Sequence, residues 1–231
     1  MNISLFDETA QVFASTVDGA IATQTYLRGD LFVAATKREV PRSSRVLDYG
    51  CGPGRISRLI AEQGYTVDGV DPSRKMIDEA NKQPIHGLRI KFSISSGNGE
   101  DLENGAYAGI ICSSVVEFVP DVNGLLRNLR RALRPEGVLI LSYANKYSFW
   151  RVISLLHNRH KSRHLDVQRH LWGFQETRAI LSHAGLEVTS GPVFFDAAPF
   201  DKRPWLRSLS AHPLIGTLGL ITAQRSTTVG A

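Results

Sequence analysis

A glycine-rich turn between two acidic residues is the part of this sequence best suited to chemistry. The turn reads Gly-Cys-Gly-Pro-Gly over residues 50–54, Asp48 precedes it, and Asp71 follows Gly54 by 17 residues. Glycines let a ligand lie against the backbone, and the N–H groups that open a following helix suit a carboxylate or phosphate. An acid at the end of the next strand can accept the hydroxyl groups of a ribose. The spacing therefore predicts a nucleoside-binding site.

The charge of Asp48 favours one class of nucleoside over another. A carboxylate at this place repels a pyrophosphate, whereas it attracts an ammonium or a sulfonium. The turn also has the spacing Gly-x-Gly-x-Gly rather than the usual dinucleotide fingerprint. Both features indicate a nucleoside with a cationic amino-acid tail.

Alternating strands and helices must position this turn. Apolar runs predict strands over residues 45–49, 65–70, 88–94, 107–112, 138–143 and 186–190. Helical periodicity predicts helices over residues 1–40, 55–63, 73–82 and 175–183, and one that starts after Asp121, includes Leu133 and is stopped by residues 135–137. The pattern is typical of an α/β fold with a parallel sheet covered on both faces. The last apolar stretch, residues 214–223, lacks a crossover helix before it, which favours a final hairpin and an antiparallel strand.

With these motifs the chain resembles the class I S-adenosylmethionine-dependent methyltransferases, in particular their small-molecule, ubiquinone-biosynthesis-like branch. Residues 47–54 look like that family's first motif, and residues 69–73 like its acidic loop after the second strand. Residues 99–102, 108–119 and 133–139 are similar to its later motifs. The resemblance implies a Rossmann-like sheet of seven strands, mostly parallel with an antiparallel last strand, and S-adenosyl-L-methionine as cofactor.

The resemblance also implies roles for individual residues around the cofactor. Asp48 faces the ammonium, Asp71 holds the ribose, and Ser113 lies beside the transferable methyl. The methionine moiety is lined by Gly50, Cys51, Gly52 and Gly54, and the adenine by Pro72, Met76, Gly99 and Glu100, with Asp101 as an alternative to Glu100. Phe13 stands where the family often has a tyrosine that contacts the cofactor. For Met76 and Phe13, packing in the core is nearly as plausible a role.

A second departure concerns catalysis. Many relatives have Glu-His after the fourth strand, where this chain has Glu117-Phe118. Methyl transfer depends mainly on alignment, and a base is needed only for a hydroxyl acceptor of high pKa. Glu117 and His170 are the candidates for that base, and a surface position for His170 is equally plausible.

A basic segment follows the predicted fifth strand. Residues 151–170 hold five basic residues, one acid and four histidines, and an apolar stripe at residues 149–156 precedes most of the charges. Three interpretations stay open: a solvated loop, recognition of an anionic acceptor by Arg159, Lys161, Arg163 or Arg169, and contact of residues 149–170 with a membrane surface. A zinc site at His157, His160 and His164 is not expected, nor is any other metal.

The length and composition suit one α/β domain. The resemblance implies that this is a single methyltransferase domain over residues 1–231, with a helical N-terminal cap at 1–40 and an acceptor-side lid at 145–173. No secretory signal is expected, and Cys51 and Cys112 have the apolar context of reduced core thiols, so a cytoplasmic location is predicted. The predicted acceptor is a small, apolar or anionic molecule. Two other classes stay open, a nicotinamide-dependent oxidoreductase and a non-catalytic cofactor-binding protein. No nucleic acid is expected, because no Asn-Pro-Pro-Tyr type motif follows the fourth strand.

Overall fold

The computed structural model describes residues 3–18, 22–149, 151–153, 168–195 and 207–226. Its strands are β1 (Arg45–Tyr49), β2 (Thr66–Asp71), β3 (Ile90–Ile94), β4 (Tyr107–Cys112), β5 (Leu133–Ala144), β6 (Leu186–Phe195) and β7 (Leu218–Arg225). Its helices are α1 (Ile3–Asp18), α2 (Ala22–Glu39), α3 (Arg55–Glu62), α4 (Arg74–Lys82), α5 (Val122–Ala132), α6 (Phe174–His183) and α7 (Arg207–Ser210), and a 3₁₀ turn covers Val116–Phe118.

The strands form one seven-stranded sheet in the order β3-β2-β1-β4-β5-β7-β6. Neighbouring strands from β3 to β5 are parallel, and β7 runs antiparallel to both β5 and β6. This confirms the predicted mostly parallel sheet with an antiparallel last strand. The chain leaves β1 toward β2 on one side and returns as β4 on the other, so the crevice between β1 and β4 is the switch point where ligands bind in open α/β sheets.

Helices cover both faces of the sheet, as predicted. Buried side chains of α5 and α6, such as Leu125 and Leu181, pack on one face. Side chains of α2 and α3, such as Phe32 and Ile60, pack on the other. Two side chains cap their helices: Ser73 Oγ accepts from Met76 N–H at the start of α4, and Asp121 accepts from Gly124 N–H at the start of α5. Cys51 and Cys112 are buried and free.

The junction between α5 and β5 differs from the prediction. The helix ends at Ala132, and Leu133 already has extended backbone at φ −69° and ψ 140°. Leu133 pairs with Tyr107 of β4, and its carbonyl accepts from the Arg225 guanidinium at 2.6 Å. These long-range contacts outweigh the helical periodicity of the leucines, so Pro135 lies within the strand instead of stopping the helix.

The last two strands also have different bounds. β6 continues beyond Ser190 through Pro192 to Phe195, which an edge strand tolerates because one side needs no ladder hydrogen bonds. β7 begins at Leu218 rather than at Leu214, which is 53% exposed. Among the residues that the structure describes, no helix combines the length and the apolar character needed to cross a membrane.

Candidate active site

The glycine turn is fixed to the end of β2. The N–H groups of Gly50 and Cys51 both donate to the Val70 carbonyl, at 2.8 and 3.0 Å. Gly54 is the N-cap of α3 with φ 79°, and no side chain caps this helix. The first N–H groups of α3 therefore point toward the crevice outside β1, where they suit a negatively charged ligand group.

The three glycines of the turn are required for different reasons. A Cβ atom on Gly50 would lie 2.3 Å from Val115 Cγ2, and one on Gly54 would lie 2.5 Å from Phe92 Cζ. These two glycines make room for protein atoms, whereas the sequence pattern alone had suggested room for a ligand. Among the described residues, a Cβ on Gly52 would come within 4 Å of the Met76 sulfur alone, at 3.9 Å. The space left beside Gly52 is what a bound methionine tail would need.

Asp48 is a buried carboxyl group directly behind the turn. It is 1% exposed, and Ser57 Oγ donates a hydrogen bond to its Oδ2. Burial raises the pKa of Asp48 to about 7, the hydrogen bond from Ser57 opposes the rise, and Asp71 adds to it. A cationic group beside Asp48 would favour its charged form, so the site fits an ammonium.

Asp71 connects β2, the turn and α4. Its Oδ2 accepts from Gly52 N–H at 3.0 Å and its Oδ1 from Ser73 N–H at 2.9 Å. These bonds fix the orientation of the carboxylate at the carboxyl end of β2, and each oxygen keeps a lone pair for a ribose hydroxyl. Burial raises the pKa of Asp71, and the two backbone N–H groups oppose the rise.

Helix α1 contacts residues on both sides of the crevice, next to the start of α4 and next to the turn after β4. The sequence pattern did not indicate these contacts. Ser73 Oγ donates to Asp7 Oδ1 at 2.5 Å, which ties α1 to the start of α4. The Phe6 ring meets the Phe118 ring edge-on, with centroids 5.4 Å apart. Phe13 lies on α1, but its side chain is outside the described part of the structure.

The residues expected around adenine come from two neighbouring segments. Met76 is buried, Pro72 is half-buried, and a Cβ placed on Gly97 would lie 3.3 Å from Pro72 Cβ. Gly99 has φ 76°, and the Arg131 guanidinium donates to its carbonyl and to that of Glu100. This loop therefore has a fixed shape beside the end of β2.

Of the two acids in this loop, Glu100 suits a ligand better. Asp101 accepts from the hydroxyls of Ser95 and Ser96 and from Ser96 N–H. Burial raises the pKa of Asp101, but these bonds outweigh it and leave the pKa below its usual value. Glu100 has an exposed side chain.

The segment after β4 carries the expected acceptor-side residues. Ser113 is half-buried, and Ser114 has φ 53° with its N–H donating to Ser142 Oγ at 2.9 Å. Glu117 is 1% exposed, and its Oε2 has no hydrogen-bond partner among the described residues. Burial raises the pKa of Glu117 to about 7, although its own backbone N–H, Arg151, Arg28 and Ser114 all lower it.

His170 lies near Glu117. Its N–H and that of Arg169 donate to the Glu117 carbonyl, at 3.4 and 2.7 Å. His170 Nε2 lies 3.1 Å from the Val119 carbonyl, which can only accept, so Nε2 carries the proton and Nδ1 is the nitrogen able to take one. The ring stacks on Trp172 with centroids 5.1 Å apart.

Two arginines near Glu117 were not among the predicted site residues. Arg28 Nη1 donates to Ser114 Oγ at 3.4 Å. The guanidinium of Arg151 donates to Gln168 Oε1 at 2.8 Å, and Arg151 is 7% exposed. In the sequence, Arg28 is 86 residues from Ser114 and Arg151 is 34 residues from Glu117, so local patterns carry no signal for these two arginines.

Most of the basic segment lies outside the described residues. This holds for Trp150 and for residues 154–167, hence for Arg159, Lys161, Arg163 and the three histidines of the rejected zinc site. Phe149, Val152 and Ile153 are described and exposed. No cluster able to hold a metal occurs in the described part of the chain.

Comparison with known proteins identifies the class of this site. A family model described as a methyltransferase domain matches residues 23–190. The ubiquinone biosynthesis O-methyltransferase of Xanthomonas oryzae is 32% identical over 108 residues, which are 45% of this chain and 44% of that protein. The chain thus matches less than half the length of this curated relative.

Solved structures share the fold over nearly the whole chain. The complex between the Haloferax volcanii Trm112 methyltransferase activator and a methyltransferase gives a TM-score of 0.73 at 16% identity, covering 96% of this chain and 97% of that one. An S-adenosylmethionine-dependent methyltransferase of Mesorhizobium loti gives 0.66 at 22% identity, covering 90% and 100%. Because the family model covers well over half of the chain and the turn, Asp48 and Asp71 meet at the switch point, this chain belongs to the methyltransferase domain family, as a class I S-adenosylmethionine-dependent methyltransferase.

Proposed function

We propose that this enzyme methylates a small acceptor at an oxygen, nitrogen or carbon atom, and that the acceptor is apolar or anionic. The observation that carries this proposal is the junction of Gly52 with Asp71 at the switch point, with Asp48 buried behind it. That junction offers a carboxylate for a ribose and another for a cation, which is the pattern of one nucleoside with a positively charged tail.

The residues that would hold the cofactor follow from these contacts. Asp71 would accept from the ribose hydroxyls, the turn at Gly52 would lie along the methionine tail, and Asp48 would balance the ammonium. Pro72, Met76, Gly99 and Glu100 would surround the adenine. When bound, S-adenosylmethionine supplies a sulfonium methyl that leaves without the electron pair of its bond to sulfur.

The chain's own contribution to the reaction is alignment and proton removal. Ser113, Ser114 and Val115 follow β4, and Val115 packs against Gly50 of the turn, so the acceptor side adjoins the cofactor side. Glu117 is the better-supported base for a hydroxyl acceptor, because its buried Oε2 has no hydrogen-bond partner within the part of the chain that the structure describes. His170 Nδ1 is the alternative.

An oxygen acceptor has the most support. The relative from Xanthomonas oryzae is an O-methyltransferase of ubiquinone biosynthesis, and the shared part includes less than half of that protein. The acceptor-side lid at residues 145–173, membrane contact through residues 149–170 and a cytoplasmic location stay predictions.

Calorimetric titration with S-adenosylmethionine, S-adenosylhomocysteine and NADH tests the proposal. We expect both sulfur nucleosides to bind and NADH not to bind. Asp71→Ala should weaken both by about tenfold or more, because it removes charge-assisted hydrogen bonds. Asp78→Ala, on the exposed side of α4, is the matched control and should bind like the unaltered protein. Binding of NADH, or unchanged affinity in Asp71→Ala, would contradict the proposal.

A further inference from the structure

The guanidinium group of Arg58, a half-buried residue of α3, contacts three elements around the glycine turn. It donates to the Pro53 carbonyl of the turn at 2.8 Å and to the Ala80 carbonyl of α4 at 3.4 Å. It also lies over the Phe92 ring of β3, 5.9 Å from the ring centroid. A single side chain therefore joins the turn to α4 and to β3.

The contact with Pro53 fixes the direction of one peptide group in the turn. The N–H of this group, on Gly54, donates to the Cys51 carbonyl at 3.0 Å, and its carbonyl oxygen, on Pro53, accepts from Arg58. Gly54 has φ 79°, and a glycine can leave such a conformation readily because it has no Cβ. Since both polar atoms are bonded, rotation of this peptide group would break two hydrogen bonds. Arg58 thus restricts a segment that its own glycines leave free to change shape.

Phe92 supports the guanidinium group of Arg58 from β3. A Cβ atom on Gly54 would lie 2.5 Å from Phe92 Cζ, and one on Gly69 of β2 would lie 2.5 Å from Phe92 Cδ1. The ring therefore lies against the backbone of both the turn and β2, at two positions where only glycine leaves room for it. A cation over an aromatic face is attracted to the ring, so Phe92 favours the position from which Arg58 reaches Pro53.

We propose that Arg58 is a positioning residue for the cofactor, which holds the turn in the shape that receives the amino-acid tail. The inference rests on the proposed function, because that function places the tail along Gly52. The ribose side has anchors of its own, since Asp71 accepts from the N–H groups of Gly52 and Ser73. Loss of Arg58 should therefore weaken binding of the tail more than binding of the nucleoside. The apparent affinity falls in proportion to the fraction of molecules whose turn has the competent shape.

Calorimetric titration with two nucleosides tests this role without requiring turnover. One is S-adenosylhomocysteine, and the other is 5′-methylthioadenosine, which has the nucleoside and the sulfur but no amino-acid tail. In Arg58→Gln the affinity for S-adenosylhomocysteine should fall by about tenfold, because the turn loses a charge-assisted hydrogen bond. The affinity for 5′-methylthioadenosine should stay within about twofold of that of the unaltered protein. Arg58→Lys keeps the charge and can reach one carbonyl, so its loss for S-adenosylhomocysteine should be smaller.

Arg89→Gln is the matched control, because Arg89 is an exposed arginine that donates to the backbone carbonyl of Gly64, beyond the other end of α3. This variant should bind both nucleosides like the unaltered protein. Urea unfolding without ligand gives the stability of each variant, and Arg58→Lys decides the question if Arg58→Gln does not fold.

Two results would overturn the proposal. If the Arg58 variants lose stability but keep their affinity for S-adenosylhomocysteine, Arg58 only supports the fold. If they lose affinity equally for both nucleosides, Arg58 does not act on the part of the site that holds the tail. Failure of the unaltered protein to bind S-adenosylhomocysteine would instead contradict the proposed function.

Discussion

Asp48 shows how one buried side chain can couple ligand binding to protonation. Its carboxyl group has little exposure and a single side-chain donor, Ser57, and Asp71 nearby has the same charge. Burial and Asp71 both favour the neutral form, whereas a cationic ligand favours the charged one. The free and bound proteins should therefore differ in the protonation of this residue.

We expect S-adenosylmethionine binding to release a proton from Asp48 near neutral pH. Because the pKa of Asp48 is about 7 in the free protein and a cation lowers it, affinity should fall as the pH drops below 7. Calorimetry in buffers of different ionisation enthalpy at pH 6.5 measures the proton count. Asp48→Asn should bind more weakly without proton release, and Asp78→Asn should behave like the unaltered protein. Equal proton release by Asp48→Asn would show that another group titrates.

At the scale of elements, the turn after β1 and the turn after β4 depend on each other. Gly50 has φ 74°, and its missing Cβ leaves the space that Val115 Cγ2 occupies. The glycine spacing was enough to predict the first turn, since it lies within one short segment. The contact with Val115 joins positions 65 residues apart, and nothing local in the sequence indicates it.

Gly50→Ala should destabilise the protein by about 3 kcal/mol, from backbone strain at positive φ together with overpacking. Gly87 provides a close control: it has φ 75° and no atom within 4 Å of a built Cβ. Gly87→Ala should therefore cost only the backbone part, about 1 kcal/mol. Urea unfolding gives the free energy of each variant.

The double variant Gly50→Ala/Val115→Ala measures how much of the destabilisation caused by Gly50→Ala is steric. The double variant should be less destabilised than the sum of the two single variants, because the smaller side chain makes room for the new Cβ. Additive effects, or equal costs at Gly50 and Gly87, would mean that the two turns do not depend on each other in this way.

At the scale of the whole molecule, the sequence predicted the structural features that local residue patterns determine. It missed the features that depend on contacts between distant parts of the chain. The order of strands and helices and the glycine turn after β1 follow from periodicity and turn residues. The start of β5 at Leu133 depends on pairing with Tyr107 and on Arg225, which come from distant parts of the chain. The link from Asp7 to Ser73 and the arginines around Glu117 are long-range in the same way, so charge and spacing alone did not indicate them.

The carboxyl edge of the sheet gathers Asp48, Asp71 and Glu117, and burial is the main cause of the raised pKa of each. An acid with a raised folded pKa stabilises the fold below its unfolded pKa, and that contribution is lost as the pH rises through the folded value. For Asp48 and Glu117 the window runs from their ordinary pKa values of 3.8 and 4.5 to about 7. The site thus lowers the stability of the free protein at neutral pH, where a cationic ligand would restore it.

The unaltered protein should therefore lose stability relative to Asp48→Asn/Glu117→Gln between pH 5 and pH 8. The loss should be on the order of 5 kcal/mol, because each raised pKa unit corresponds to about 1.4 kcal/mol and roughly two units of each group's window lie above pH 5. Urea unfolding of both proteins without ligand measures it, and taking the difference cancels the titration of all other groups. Asp78→Asn should track the unaltered protein. A difference that stays constant between pH 5 and pH 8 would mean that these carboxyl groups are already ionised at pH 5 in the free protein, and would contradict the prediction.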